Sequence, residues 1–433
     1  MHSLNTFIFK FRDTVIWHFQ AVAKCAGLLA LGSLITVGKA ADAASTSQLN
    51  FKANIALKET FDSNVFLQSH GPKSDRGSFV SSIIPQAGMG WDSGALLHGT
   101  LTYGPEVNVF HSEHSEDFIL HRVALNVSGA SEKTAYEVSG TAVHVDGNSQ
   151  SPIWTEEGGA PATGAPAIRD RRDATILRSS ARITQHFGEW FARPVITAYV
   201  HDFRTEHRES AGYQNAVDRS EFTFGGDFGH SIGRKAALWC GYRYGIQEQA
   251  TLFDSNEDYD NRFHRFLAGV EGDPTDWLKA TIAIGPELRR FGSDVAGGFG
   301  SRERMNVFVD AALTFTLSPS DTVRIAAKRF EQPGSGGRST YQDLTIDMNW
   351  RHELNARWTI GLGGRAYNTE FRKPAMRDDW AFTGTAFVNV AMTERVNAEF
   401  SCVLEKGLTH TPHASGREYT RHLLSIGVRY TFR

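Results

Sequence analysis

Segments of about ten residues in which every second side chain is apolar recur along most of this chain. The first is Leu49-Asn-Phe51-Lys-Ala53-Asn-Ile55-Ala-Leu57-Lys58. The last is Leu424-Ser-Ile426-Gly-Val428-Arg-Tyr430-Thr-Phe432-Arg433. Successive side chains of a strand point to opposite faces, so each segment has one apolar face and one face of Asn, Lys or Arg. Helical i, i+3, i+4 spacing persists nowhere. A soluble sandwich would use shorter strands with their apolar faces packed inward. Long apolar faces backed by many charges belong to a barrel in a membrane, apolar toward lipid and polar toward the lumen.

Placing strands on this period gives about 18, from 49–58 to 419–432. The connections then alternate in length. Short turns such as Asp92-Ser-Gly-Ala95, Phe187-Gly-Glu189, Asp273-Pro-Thr-Asp276 and Met392-Thr-Glu-Arg395 alternate with long polar loops at 59–78, 146–173, 203–218, 248–261, 291–304 and 368–379. The fold expected is all-β: a transmembrane antiparallel up-and-down β-barrel with short periplasmic turns and long external loops. Two echoes eight strands apart hint at duplication: Phe61-Asp-Ser-Asn64 with Phe253-Asp-Ser-Asn256, and Gly104-Pro-Glu106 with Gly285-Pro-Glu287.

The N-terminus sets the compartment. Residues 26–38 are apolar, follow Lys10, Arg12 and Lys24, and precede Ala41-Asp42-Ala43. This describes a secretory signal over 1–43, leaving the barrel at 44–433 and the outer membrane as its destination. The long basic region before the apolar run also fits an internal start or an uncleaved anchor. Cys25 lies before that run, so a lipoprotein anchor does not fit, and Cys240 and Cys402 alone are no disulfide scaffold. The 45 Lys and Arg against 48 Asp and Glu lack the basic excess that tracks a phosphate backbone, so no nucleic-acid partner is expected.

Motifs that could carry chemistry are absorbed by the barrel. Gly229-His-Ser231-Ile-Gly233 spells a nucleophile elbow, but that needs a helix after the serine, and Ala237–Tyr244 continues as an alternating strand. The acidic loop Asp254-Ser-Asn-Glu-Asp-Tyr-Asp260 puts Tyr259 where a calcium loop needs its turn glycine. His111, His114, His410 and His413 lack a Cys or carboxylate to complete a metal set. The chain is therefore expected to be neither an enzyme nor a holder of a metal or cofactor.

The face opposite the apolar positions is the expected pore lining. It collects Arg122, Arg178, Arg182, Arg193, Arg243, Arg265, Arg289, Arg324, Arg351, Arg365 and Arg429, with Lys279 and Lys328. Interleaved are Glu106, Glu137, Glu221, Asp227, Glu271, Glu287, Asp310, Asp347, Glu399 and Glu405. These form either a ladder of cross-strand pairs or a mildly cationic path for anions.

The signal, Thr60-Phe-Asp-Ser-Asn-Val-Phe66 after the first strand, and the ending Val428-Arg-Tyr-Thr-Phe432 resemble the β-barrel porin family of Gram-negative outer membranes. Arg433 departs from a terminus that ends on its aromatic. The resemblance implies a link to exopolysaccharide export, in which 18-stranded barrels occur. The leading expectation is a passive channel for small hydrophilic solutes with a weak anion preference. The alternatives are an exopolysaccharide conduit gated by loop 146–173 and a non-conducting surface-binding barrel. Expected partners are outer-membrane lipid, the barrel assembly machinery and, for the conduit, periplasmic polysaccharide-export components.

Overall fold

The structure, a computed structural model, describes residues 48–71, 73–148, 172–203, 218–233, 235–251, 259–295, 297–334, 339–373, 376–410 and 418–432. The expected signal at 1–43, most of loop 146–173, the acidic run 254–258, the second Phe-Asp-Ser-Asn echo and His413 lie outside the described residues.

Eighteen strands follow in chain order: β1 (Gln48–Asp62), β2 (Ser78–Asp92), β3 (His98–Phe110), β4 (Phe118–Ala130), β5 (Thr134–Asn148), β6 (Arg172–Phe187), β7 (Trp190–Phe203), β8 (Arg219–Ile232) and β9 (Ala236–Gln249). They continue with β10 (Asn261–Thr275), β11 (Leu278–Phe291), β12 (Glu303–Ser318), β13 (Asp321–Pro333), β14 (Thr340–Glu353), β15 (Trp358–Phe371), β16 (Arg377–Ala391), β17 (Val396–Thr409) and β18 (Tyr419–Phe432). Each pairs antiparallel with its sequence neighbours, and β1 pairs with β18 from Ala53↔Phe432 to Asp62↔Leu423, closing the sheet. The expected fold is the observed one: a closed, up-and-down, 18-stranded antiparallel barrel. Closure leaves no strand edge unpaired.

Several strands run further toward the long loops than their apolar pattern does. β1 continues from Lys58 to Asp62 and β17 from Glu405 to Thr409. The ladder persists there, with Glu59 and Lys406 entering the outward phase beside Phe61 and Leu408. Gly104-Pro-Glu106 and Gly285-Pro-Glu287 mark another common feature. The β2–β3 register skips from Ile83↔Val107 to Ala87↔Tyr103, and the β10–β11 register from Arg265↔Glu287 to Ala268↔Ile284. Proline has no N–H for the ladder, which accounts for both gaps. A Cβ at Gly285 would stand 1.8 Å from the carbonyl oxygen of Phe266, so only glycine fits there.

The outward phase forms a continuous apolar belt. Along β11 it reads Leu278, Ala280, Ile282, Ile284, Pro286, Leu288. Ten residues at about 3.3 Å, tilted by about 40°, rise about 25 Å, the height of the lipid-facing band of a membrane barrel. Phe187, Trp190, Trp277 and Trp358 are exposed beside the short turns and supply the aromatic girdle of that rim. Cys240 and Cys402 are free thiols on this outer phase, on β9 and β17. Ser231 is the penultimate residue of β8, in a hairpin whose turn contains Gly233 at φ +63°, and β9 follows instead of a helix. The serine is a hairpin residue.

Candidate functional site

The lumen is where the charged phase meets itself. Contacts between strands that are not neighbours identify it, because such contacts can only cross the interior. Arg193 of β7 reaches Glu271 of β10 at 2.6 Å, and Arg219 of β8 reaches the carbonyl of Pro333 at the end of β13 at 2.8 Å. All eleven arginines expected on this face stand on the inward phase, and eight of them fall into two populations.

The first lies along β5–β11 and is interlocked. Asp227 binds Arg193 at 2.9 Å and Arg243 at 2.7 Å. Glu271 accepts from Arg193 and lies 4.0 Å from Arg182, which also meets Glu137 at 2.7 Å. Glu287 holds Arg265 at 2.5 Å and Arg289 at 2.6 Å. Arg289 goes on to Asn261 at 2.9 Å and to Gln247, which in turn donates to Glu221. The guanidinium of Arg289 is fully buried. Aromatic faces complete the packing, with Arg265 3.7 Å from the Phe308 ring centroid and Arg193 5.5 Å from that of Trp239. Gly241 makes room for this, since a Cβ there would sit 2.1 Å from Asp227 Oδ1.

The long-loop end of β13 and β14 seals this side. Gln249 Nε2 donates to the carbonyl of Gly334 at 2.7 Å, and Arg219 also donates to Tyr341 Oη at 3.3 Å. Four strands lie between β8 and β13, so these bonds cross the lumen and draw the two stretches of wall together.

The second population faces water. A cavity of about 660 Å³ is lined from β1–β4 and β14–β18, and holds Lys58, Arg122, Arg351, Arg357 and Arg429 with Glu106 and Glu399. Five cations and two acids leave 5 − 2 = +3 on its wall. Gln86, Thr102, Thr359, Asn389 and Asn397 add neutral hydrogen-bonding groups. Arg351 meets Glu353 at 3.1 Å in an exposed pair. Of the remaining expected arginines, Arg365 pairs with Asp347 at 2.5 Å, Arg178 lies 5.2 Å from the Tyr199 ring centroid, and Arg324 stands on inward β13. Arg357, in a short turn, is a chamber residue that strand phase could not reveal. Tight pairing also occurs at that rim, where the hydrogen bond between Lys235 and Asp276 (2.5 Å) holds the lysine above and the aspartate below its ordinary pKa.

The loop after β1 roofs the chamber. Val65 and Phe66 pack with Val80, Phe110, Phe118, Leu120 and Val145 of β2–β5, while Leu67 packs with Tyr367, Ala381 and Tyr419 of β15, β16 and β18. These three loop residues are at most 2% exposed. Leu67 has φ +54°, an uncommon conformation for a leucine, which lets adjacent side chains serve opposite walls. Asp62 accepts a bidentate pair from Arg421 (2.9 and 2.5 Å), and Asn64 donates to the carbonyls of Gln68 and Thr420, both at 3.1 Å. The Phe61-Asp-Ser-Asn-Val-Phe66 motif is thus an inward-folded clasp. The expected gate at 146–173 lies largely outside the described residues, and the visible constriction is this earlier loop.

The candidate metal ligands are dispersed. His111 bonds Ser81 at 2.8 Å, His114 faces Asp117 at 3.4 Å, and His410 faces Asp378 at 3.2 Å. Among the described residues no three potential ligands converge.

No protein-family model matches the chain, the porin family named above included, and no curated protein matches it in sequence. Solved structures with a similar backbone include the outer membrane protein OpdK of Pseudomonas aeruginosa, at 9% identity and a TM-score of 0.43, covering 88% of this chain and 99% of that one. OccAB3 of Acinetobacter baumannii gives 10%, 0.42, 88% and 99% in the same order. The siderophore receptor PirA of Pseudomonas aeruginosa gives 7%, 0.41, 89% and 80%. Likeness at these values identifies no relative, and the fold stands on the strand pairing of this chain.

Proposed function

We propose that the protein is an outer-membrane channel that passes small hydrophilic solutes by diffusion and prefers anions. The membrane reading is supported by the belt of about 25 Å, the aromatic girdle beside the short turns, and the alternation of short and long connections, which fits short turns on the periplasmic side. The observation that carries the solute reading is the open chamber of about 660 Å³ with a net +3 wall. Ring-like arrays of fixed charge select at close quarters, and unpaired guanidiniums in a narrow aqueous chamber raise the local concentration of anions. Neutral amides and hydroxyls beside them offer bonds to hydroxylated solutes.

Transport in this reading needs the roof to move. The clasp at Asp62–Val65–Leu67 is the gate, and the strand wall beneath it stays fixed. Lipid and the barrel assembly machinery are the partners this reading requires. A polysaccharide conduit, with its periplasmic export components, would require the clasp and the β13–β14 end to withdraw together, and no feature of the lumen favours it.

Bilayer recordings of the refolded mature chain in a KCl gradient test the reading. A reversal potential of anionic sign is expected, with larger conductance once the clasp is opened. Silence from both wild-type and clasp-opened protein would defeat the channel and leave a surface-binding barrel.

A further inference from the structure

The outer face carries one pair of charges that the barrel does not explain. Arg262 of β10 and Arg290 of β11 are direct cross-strand partners, both outward and exposed. Like charges directly opposite each other destabilise a sheet pair. The acid beside them is Glu303, itself exposed and 3.8 Å from Arg290, while Arg262 has no ion pair or hydrogen bond among the described residues. Elsewhere on the same rim outward charges meet opposite ones, as Arg372 meets Glu370 at 2.8 Å and His410 meets Asp378.

Their height is informative. Arg290 follows Leu288, the last apolar member of the β11 belt, so both guanidiniums sit at the hydrocarbon boundary on the long-loop side. Directly below, in register with His264, stand Leu288 and Met305, and one outward step further down stands Phe266; the three apolar side chains are exposed by 46, 71 and 48%. On that first level His264 bonds Tyr242 Oη at 2.7 Å, which fixes an aromatic shelf under the arginines. The arrangement is amphipathic in the way of a lipid: paired cations at headgroup level over an apolar wall. Arginine suits phosphate because its planar fork offers two parallel donors.

We propose that Arg262 and Arg290 bind the phosphate of a phosphorylated glycolipid in the leaflet on the long-loop side, with its acyl chains against Phe266, Leu288 and Met305. This rests on the membrane placement above and is independent of conduction. The test uses the full mature chain in zwitterionic lipid discs, with three probes: a diphosphorylated acyl-glucosamine disaccharide, its dephosphorylated form, and inorganic phosphate. Wild type should bind the diphosphorylated lipid about thirtyfold more tightly than R262Q/R290Q, as two lost basic residues at a lipid surface imply. The dephosphorylated lipid should not distinguish them.

R262K/R290K keeps the charge without the fork and should fall between the two. Equal binding by wild type and R262Q/R290Q overturns the site. So does wild-type binding by the lysine variant, or an equal loss from Lys406→Gln, an outward lysine on β17 away from the pair. Displacement of the lipid by millimolar inorganic phosphate would make this a free-anion site and overturn the lipid assignment. A protein that fails to enter discs at all would refute the membrane reading, which is a separate result.

Discussion

Along β5–β11 four carboxylates, Glu137, Asp227, Glu271 and Glu287, hold five guanidiniums, and aromatic rings cover what remains. Across the lumen, β14–β18 and β1–β4 line an open chamber with Arg122 and Arg429, and with a half-buried Lys58 beside Glu106 and Glu399. The residue types are the same on both sides; the distance to the opposite wall differs. Where the β13–β14 end pulls the walls together, each guanidinium loses its water and persists only with a carboxylate, because an uncompensated buried charge is costly. Where the walls stand apart, water solvates the charge and no partner is needed. An inward arginine is therefore a structural strut or a selectivity element according to how much water its section of lumen retains.

The largest effect that could break this comparison concerns stability. Glu287→Ala strands Arg265 and Arg289 in the packed half and should cost about 3–5 kcal/mol. Glu399→Ala in the chamber should cost no more than about 1 kcal/mol. Urea unfolding of the refolded barrel in detergent measures both, and equal costs would mean that the halves do not differ.

Next in size is the roof. Phe66→Ser removes a side chain whose burial contributes about 1.5–3 kcal/mol and should free the clasp while sparing the strands. Single-channel conductance should rise with the heat-modifiable gel band unchanged. An unaltered conductance would move the constriction elsewhere.

Selectivity separates the halves more finely. Arg122→Glu with Arg429→Glu should swing the reversal potential toward cations with a stability change within about 1 kcal/mol. Reversing Arg243 or Arg289 should instead unfold the packed half, because each lies against a buried carboxylate. A selectivity change from Arg289→Glu in a fully folded barrel would show that the network is permeable.

Salt gives the smallest and most diagnostic difference. Raising KCl from 0.1 to 1 M shortens the screening length from about 10 to 3 Å and should erase much of the chamber's anion preference. The penalty of Glu287→Ala should barely change, since buried pairs are screened far less.

Most of the architecture was legible because period two is a local property. Leu49 to Lys58 declares its faces whatever the rest of the chain does, and a slip of one residue would turn every side chain over. The inward direction of all eleven arginines follows from the same rule. Their division into struts and water-facing charges was not legible: Arg193 meets Glu271 three strands away, and that distance depends on the cross-section of the closed barrel. Arg357 escaped because turn residues have no phase. The clasp left a signal that could have been used. Three adjacent apolar residues, Val65, Phe66 and Leu67, after a polar Asp-Ser-Asn are unfavourable in an exposed loop and imply burial.

The clasp also dates its own formation. Its anchors, Arg421, the carbonyl of Thr420 and the carbonyl of Glu418 that accepts from Ser69 at 2.9 Å, belong to β18 or its approach. The segment made first is fastened to the segment made last. A wall still lacking its eighteenth strand can have no ceiling, so an insertion intermediate is open along its length until the seam between Asp62 and Arg421 shuts. The same ion pair that holds the loop down thereby records that the ring is complete, and a leaking population would be the mark of chains stalled one strand short.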